Sequence, residues 1–236
     1  MGNILSKPIE WIEVPRNLMF KHPFTMMVAG ATSSGKTHFV RRLLRALPEI
    51  MIPKPPLTPL KVLWAYGIWQ DLYNEPLLSP YVSVRYHEGL PTQDIIDEAD
   101  IIVLDDLMDS LGSSRDLSSL FTKGSHHKKK SIIFIVQNIF YQGKQMRNIT
   151  LNCHDLVLTK NRRDLNQVGV LARHLYSNSK FFMDAYKRAV LDQDYGYLVI
   201  DLTPTTEERY RLRSSVTPPE YPISIFVPWP EKYTRQ

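Results

Sequence analysis

Eight consecutive residues, Gly30-Ala31-Thr32-Ser33-Ser34-Gly35-Lys36-Thr37, constrain this chain more than any other feature. They fit the pattern G-x-x-x-x-G-K-[ST] at every position, between an apolar run at 24–29 and a helical pattern at 38–47. A strand that turns sharply into a helix at such a loop aims successive backbone N–H groups into one anion-sized hollow, and the helix N-terminus adds partial positive charge. Lys36 is then placed to reach the β- and γ-phosphates of a nucleotide, and the Thr37 hydroxyl to ligate Mg²⁺.

Such a loop needs a carboxylate on a neighbouring strand. The segment Ile101-Ile102-Val103-Leu104-Asp105-Asp106 supplies it, with two acids at the C-terminal end of an apolar run, where open α/β sheets place their ligands. Asp105 is expected to hold Mg²⁺. Asp106, on the opposite face, is expected to polarise an attacking water as a general base. A third apolar run, 132–136, ends in Gln137-Asn138, and Gln137 is the candidate that senses the γ-phosphate and positions the water.

Short apolar runs without strict alternation recur at 24–29, 61–66, 101–104, 132–136, 155–159 and 195–202, with helical patterns at 38–47, 92–99, 165–176 and 180–191. Runs of that kind suit strands buried on both faces, so the expected fold is α/β, a mostly parallel sheet flanked by helices. The run 223–227 is a candidate edge strand. Prolines cluster at 48–59, read as a rigid connector, and at 204–230, read as an extended surface arm. The expected organisation is an N-terminal arm at 1–19, a nucleotide-binding domain at 20–213 and a Pro-rich C-terminal arm at 214–236.

The 236 residues, 43% apolar and 22% charged, exclude a disordered chain, and no apolar run reaches the length of a spanning helix. A single cysteine, Cys153, excludes an internal disulfide framework and points to a reducing, intracellular compartment; no signal peptide is visible. The seven histidines and Cys153 lack metal-ligand spacing, so no structural zinc is expected. The N-terminus, Met1-Gly2-Asn3-Ile4-Leu5-Ser6, fits the myristoylation pattern at Gly2; a single acyl chain implies only weak, reversible membrane association.

Taken in succession, the phosphate loop, the acidic pair and Ser131-Ile132-Ile133-Phe134-Ile135-Val136-Gln137-Asn138 resemble the FtsK/HerA superfamily of ring ATPases. Within it, the blocks 125–144, 159–164 and 195–202 resemble the poxvirus-type viral genome-packaging ATPases, and most of all those of adintoviruses and Polinton (Maverick) elements. The resemblance covers about 20–213. It implies a P-loop NTPase with a RecA-like sheet, ATP and Mg²⁺ as ligands, and a homo-oligomeric ring. It further implies ATP-driven threading of a double-stranded DNA genome into a preformed capsid at its portal vertex, in the host cytoplasm or nucleus or with the virion. Gly30, Gly35, Lys36, Thr37, Asp105, Asp106 and Gln137 carry over by position.

One position departs. Cellular members often place an arginine before the strand that ends in the glutamine, where this chain has 122–130 without arginine. Arg162 and Arg163, after the run 155–159, are therefore the candidates for a cation acting across a subunit interface, with Arg147 and Lys128 to Lys130 in reserve. The basic run His126 to Lys130 is also a candidate DNA-phosphate contact.

Two other classes compete. A GTPase-type switch requires [NT]-K-x-D, but Thr159-Lys160-Asn161-Arg162 has arginine in place of the aspartate. A small-molecule kinase needs an acceptor pocket and commonly an arginine-bearing lid, whereas Asp105, Asp106 and Gln137 favour water as the acceptor.

Overall fold

The computed structural model describes residues 5–8, 14–56, 58–77, 79–107, 129–139, 152–162, 165–220 and 222–228, the first segment as backbone only. The strands are β1 (Leu5–Pro8), β2 (Phe20–Lys21), β3 (Thr25–Ala29), β4 (Met51–Ile52), β5 (Leu60–Tyr66), β6 (Val82–Glu88), β7 (Ile101–Asp105), β8 (Ser131–Val136), β9 (Asp155–Thr159), β10 (Tyr197–Asp201), β11 (Leu212–Ser214) and β12 (Ser224–Val227). The helices are α1 (Lys36–Ile50), α2 (Gln93–Asp97), α3 (Leu165–Leu175) and α4 (Ser179–Tyr186), the last running into a π-helical turn at Lys187–Leu191. A 3-10 turn spans Asp71–Asn74.

Among the described residues ten strands form one sheet in the order β1-β12-β11-β10-β9-β3-β8-β7-β5-β6. From β9 to β6 every neighbouring pair is parallel, and from β9 to β1 every pair is antiparallel. The central strands are buried on both faces, which is why they are continuous apolar runs. Met26, Val28, Val62, Val103, Ile133 and Ile135 pack beneath Phe39, Val40, Leu43, Leu44 and Leu47 of α1. Alternate residues, among them Met27, Leu63, Ile102, Phe134 and Leu156, pack against α2, α3 and α4 through Ile96, Leu171 and Phe182. Period-two alternation thus makes a three-layer core.

Several expectations are refined. The connector assigned to 48–59 begins later, because α1 runs through Pro48 to Ile50. Pro48 lies in the last turn, where the buried stripe Leu43, Leu47 and Ile50 outweighs the single lost backbone bond. The helix expected at 180–191 changes pitch, being α-helical to Tyr186 and π-helical beyond. The strand β6 leaves no apolar run in the sequence because it is an edge strand, buried at Val82 but with the rest of its residues exposed or half-buried. The candidate edge strand at 223–227 forms as β12, which continues the sheet beyond β11 and pairs in turn with β1. The N-terminal arm likewise contributes Val14 and Leu18 to the core.

A buried cluster ties these ends together. The Arg213 guanidinium is 1% exposed and donates to the Leu18 carbonyl at 2.8 Å and to Asp201 Oδ2 at 3.2 Å, with Asp155 Oδ1 at 3.8 Å. Two acidic side chains thus share one cation at the sheet edge opposite the phosphate loop. Among the described residues no helix is long and apolar enough to cross a membrane.

Candidate functional site

Parallel strands bring their C-terminal ends to one edge, so topology decides which loops meet. The phosphate loop follows β3, and β8 lies between β3 and β7. Gln137 therefore emerges between the phosphate loop and the acidic pair. The three segments border a cavity of about 510 Å³ lined by Thr32 to His38, Asp105, Asp106, Gln137, Ile68 and Tyr195.

Local chemistry shapes the loop. A Cβ on Gly30 would lie 2.0 Å from the Thr159 hydroxyl oxygen, so only glycine lets β9 approach. The Ser34 hydroxyl meets Thr159 Oγ1 at 2.6 Å, and Thr159 donates to the Ala29 carbonyl at 3.2 Å. Ser33 has φ 60° and Gly35 φ 91°, the curl that turns the backbone into the hollow before α1 begins at Lys36. Thr32 lines the cavity, and the Ala31 carbonyl accepts from Lys36.

The Lys36 ammonium donates to the carbonyls of Gly30 at 2.9 Å and Ala31 at 2.7 Å, folded back on its own loop. Burial pushes its pKa below the usual lysine value, against the pull of Asp105 and Asp106. A phosphate entering the hollow offers this cation better acceptors than two neutral carbonyls.

Asp105 ends β7 on the α1 side and is 2% exposed. Its Oδ2 accepts a 2.8 Å hydrogen bond from the Tyr73 hydroxyl and lies 3.5 Å from Thr37 Oγ1. Burial pushes its pKa up to about 6, opposed chiefly by the Tyr73 bond and the charge of Lys36. The same burial and the carboxylate push the Tyr73 phenol far above its normal range, so it stays a donor. Thr37 and Asp105 are both oxygen donors at the mouth of a phosphate hollow. That fits Mg²⁺, which takes one or two protein oxygens and fills its remaining positions with water and phosphate.

Asp106 is exposed and has φ 54°, a left-handed backbone that turns its side chain off the β7 line. Its Oδ1 accepts from Gln137 Nε2 at 3.3 Å. The turn is held from β5: Gly67 N–H donates to the Asp105 carbonyl at 2.9 Å, and a Cβ on Gly67 would meet the Asp106 carbonyl at 2.4 Å. An acid and an amide thus stand side by side, facing the cavity.

Tyr73, Gly67 and Thr159 complete the site, though neither the phosphate loop, the acidic pair nor the glutamine points to them in sequence. Tyr73 belongs to the 3-10 turn, which Arg41 of α1 fastens by donating to the Glu75 carbonyl at 2.8 Å. Arg41 is itself buried and meets Tyr86 Oη at 3.3 Å.

Arg162 is exposed, just beyond β9 at the same sheet edge. Arg163, Arg147, Lys128, His126 and Gly2 lie outside the described residues. Lys130 is corrected as a reserve cation. It is buried at the start of β8, the opposite edge of the sheet, where its ammonium donates to the carbonyls of Asp97 at 2.9 Å and Ala99 at 2.5 Å. The lysine thus caps the chain where it leaves α2, a place where helix carbonyls need donors from outside the helix.

No family model and no curated protein matches the chain. Solved structures do. The genome packaging NTPase B204 from Sulfolobus turreted icosahedral virus 2, in complex with sulfate, is similar over 88% of this chain and 98% of its own, at 10% identity and TM-score 0.50. B204, the DNA-packaging ATPase from Sulfolobus turreted icosahedral virus, is similar over 89% of this chain and 99% of its own, at 12% identity and TM-score 0.50. Likeness at so low an identity speaks to architecture, and that architecture is the P-loop NTPase fold: a large, partly parallel sheet flanked by helices.

Proposed function

We propose that this chain is an ATP-hydrolysing DNA translocase that packages a double-stranded DNA viral genome into a preformed capsid. The observation that carries the reading is the convergence on one cavity of the Lys36 loop, the Thr37–Asp105 oxygen pair and the Asp106–Gln137 pair. In this reading ATP lies with its phosphates in the hollow, and Thr37 and Asp105 hold Mg²⁺, which supplies charge neutralisation on the phosphates. Asp106 takes the proton of the attacking water that Gln137 orients.

The packaging role rests on two supports. One is the similarity of fold to B204, which is itself a genome packaging NTPase. The other is the sequence resemblance to the FtsK/HerA superfamily and its adintovirus and Polinton branch. The same reading takes the chain as a homo-oligomeric ring at a capsid vertex, with an exposed arginine such as Arg162 completing the neighbouring site and Gly2 carrying a myristoyl group. A switch is disfavoured by Arg162 at the position that reads guanine, and a kinase by the acid and amide placed to activate water.

The test is ATP turnover by the purified full chain with and without double-stranded DNA. Turnover that rises with DNA is the expected result. A protein that hydrolyses ATP equally in both conditions is not a DNA motor.

A further inference from the structure

The phosphate hollow has a direction. Asp105, Asp106 and Gln137 stand on the β7 and β8 side of the loop, so in the proposed reading the terminal phosphate points there. The nucleoside must then leave on the opposite side, past β9 toward β10. On that side an aromatic ring waits in the open: Tyr195, 67% exposed, the side chain nearest the position a Cβ on Gly35 would occupy, 3.1 Å from Tyr195 Cδ1.

An exposed tyrosine with φ 52° is not an accident of a loose loop, because the turn that carries it is built. The π-helical turn ends with Asp192 N–H donating to the Lys187 carbonyl at 3.0 Å. The Gln193 carbonyl accepts from Lys160 Nζ at 2.9 Å, pinning the turn to the end of β9. Gly196 packs so closely on the Ala189 carbonyl that a Cβ there would lie 2.3 Å away. Tyr195 also lines a second cavity of about 430 Å³, bordered by Arg188, Asp194, Ser214, Ser215 and Ser224. The ring is thus shared by the phosphate cavity and a polar cavity beyond it.

We infer that Tyr195 is the stacking platform for the nucleobase, holding its π-face at the junction of the two cavities while the polar residues of the second face its edge. This rests on the nucleotide reading above and assigns the half of the site that the phosphate motif leaves open. A π-face platform favours any base over none, so its contribution belongs to the nucleoside and not to the phosphates.

The experiment is equilibrium binding of ATP and of inorganic triphosphate, each with Mg²⁺, to wild type, Tyr195→Asn and Tyr195→Trp, by titration calorimetry on the full chain. Asparagine tolerates the left-handed backbone, so that variant removes the ring without straining the turn. Tyr195→Asn is expected to bind ATP about tenfold more weakly and triphosphate as wild type does, and Tyr195→Trp to recover most of the loss. Two results overturn the inference: equal weakening of both ligands, which makes Tyr195 a prop for Gly35, or no weakening of ATP. If folded wild-type protein bound neither ligand, the nucleotide reading itself would fall, and the platform with it.

Discussion

The Tyr73 hydroxyl donates a 2.8 Å hydrogen bond to Asp105 Oδ2, so the carboxylate proposed to hold the metal is oriented from another loop. That loop is fastened in turn by Arg41 of α1, the helix that the phosphate loop opens. Phosphate loop, 3-10 turn and acidic strand form one mechanical unit.

Tyr73→Phe removes the bond and keeps the ring. Leaving a buried carboxylate oxygen without its donor is expected to lower stability by about 1–3 kcal/mol. Asp105 would also turn more freely, so half-maximal turnover should require more Mg²⁺. The readouts are urea unfolding and a Mg²⁺ titration of ATP turnover. An unchanged Mg²⁺ requirement would mean that Tyr73 only packs.

Lys36 and Asp106 separate binding from chemistry. Lys36→Ala is expected to lose ATP affinity, because the phosphates lose their principal side-chain cation. Asp106→Asn keeps the amide–amide contact with Gln137 within reach and should bind ATP, while turnover drops by about 10²- to 10⁴-fold. Binding and single-turnover measurements distinguish the two. Wild-type turnover by Asp106→Asn would remove the base from Asp106.

If an arginine acts across the subunit interface, Arg162→Ala or Arg163→Ala should bind ATP yet lose turnover by about 10³-fold or more. Mixing the inactive arginine variant with Lys36→Ala then tests the interface. In a mixed ring some interfaces pair a sound phosphate loop with a sound arginine, and activity partly returns. Two variants that oligomerise together and stay inactive would place the arginine's role inside its own subunit.

The buried cluster of Arg213, Asp155 and Asp201 sets a pH dependence. Burial, with Asp201 nearby, pushes the Asp155 pKa up to about 8, against the pull of Arg213. A carboxyl whose pKa is raised on folding stabilises the protein below its unfolded value, near 4, and loses that contribution as pH rises through about 8. The stability of Asp155→Asn relative to wild type should therefore improve between pH 5 and pH 8. Parallel urea unfolding of the two proteins at both values checks it; a constant difference would show that Asp155 is ionised throughout.

The phosphate loop was legible in sequence because its geometry is local: a run of eight residues contains the curl, the cation and the hydroxyl. The acidic pair and the central strands were legible for a related reason, since burial on both faces leaves an unbroken apolar run that ends at the ligand edge. Long-range pairing decided the rest. Nothing near residue 137 in sequence says that β8 inserts between β3 and β7, yet that insertion brings Gln137 to Asp106. Tyr73 reaches Asp105 across 32 positions, Thr159 meets Ser34 across 125, and β1 pairs with β12 from the other end of the chain. Lys130 belongs to a basic run in sequence but is a buried prop for α2 in space. Sequence determines what a short stretch of backbone does with its own side chains; which stretches meet is set by the pairing order of the strands, and pairing order is a property of the whole sheet.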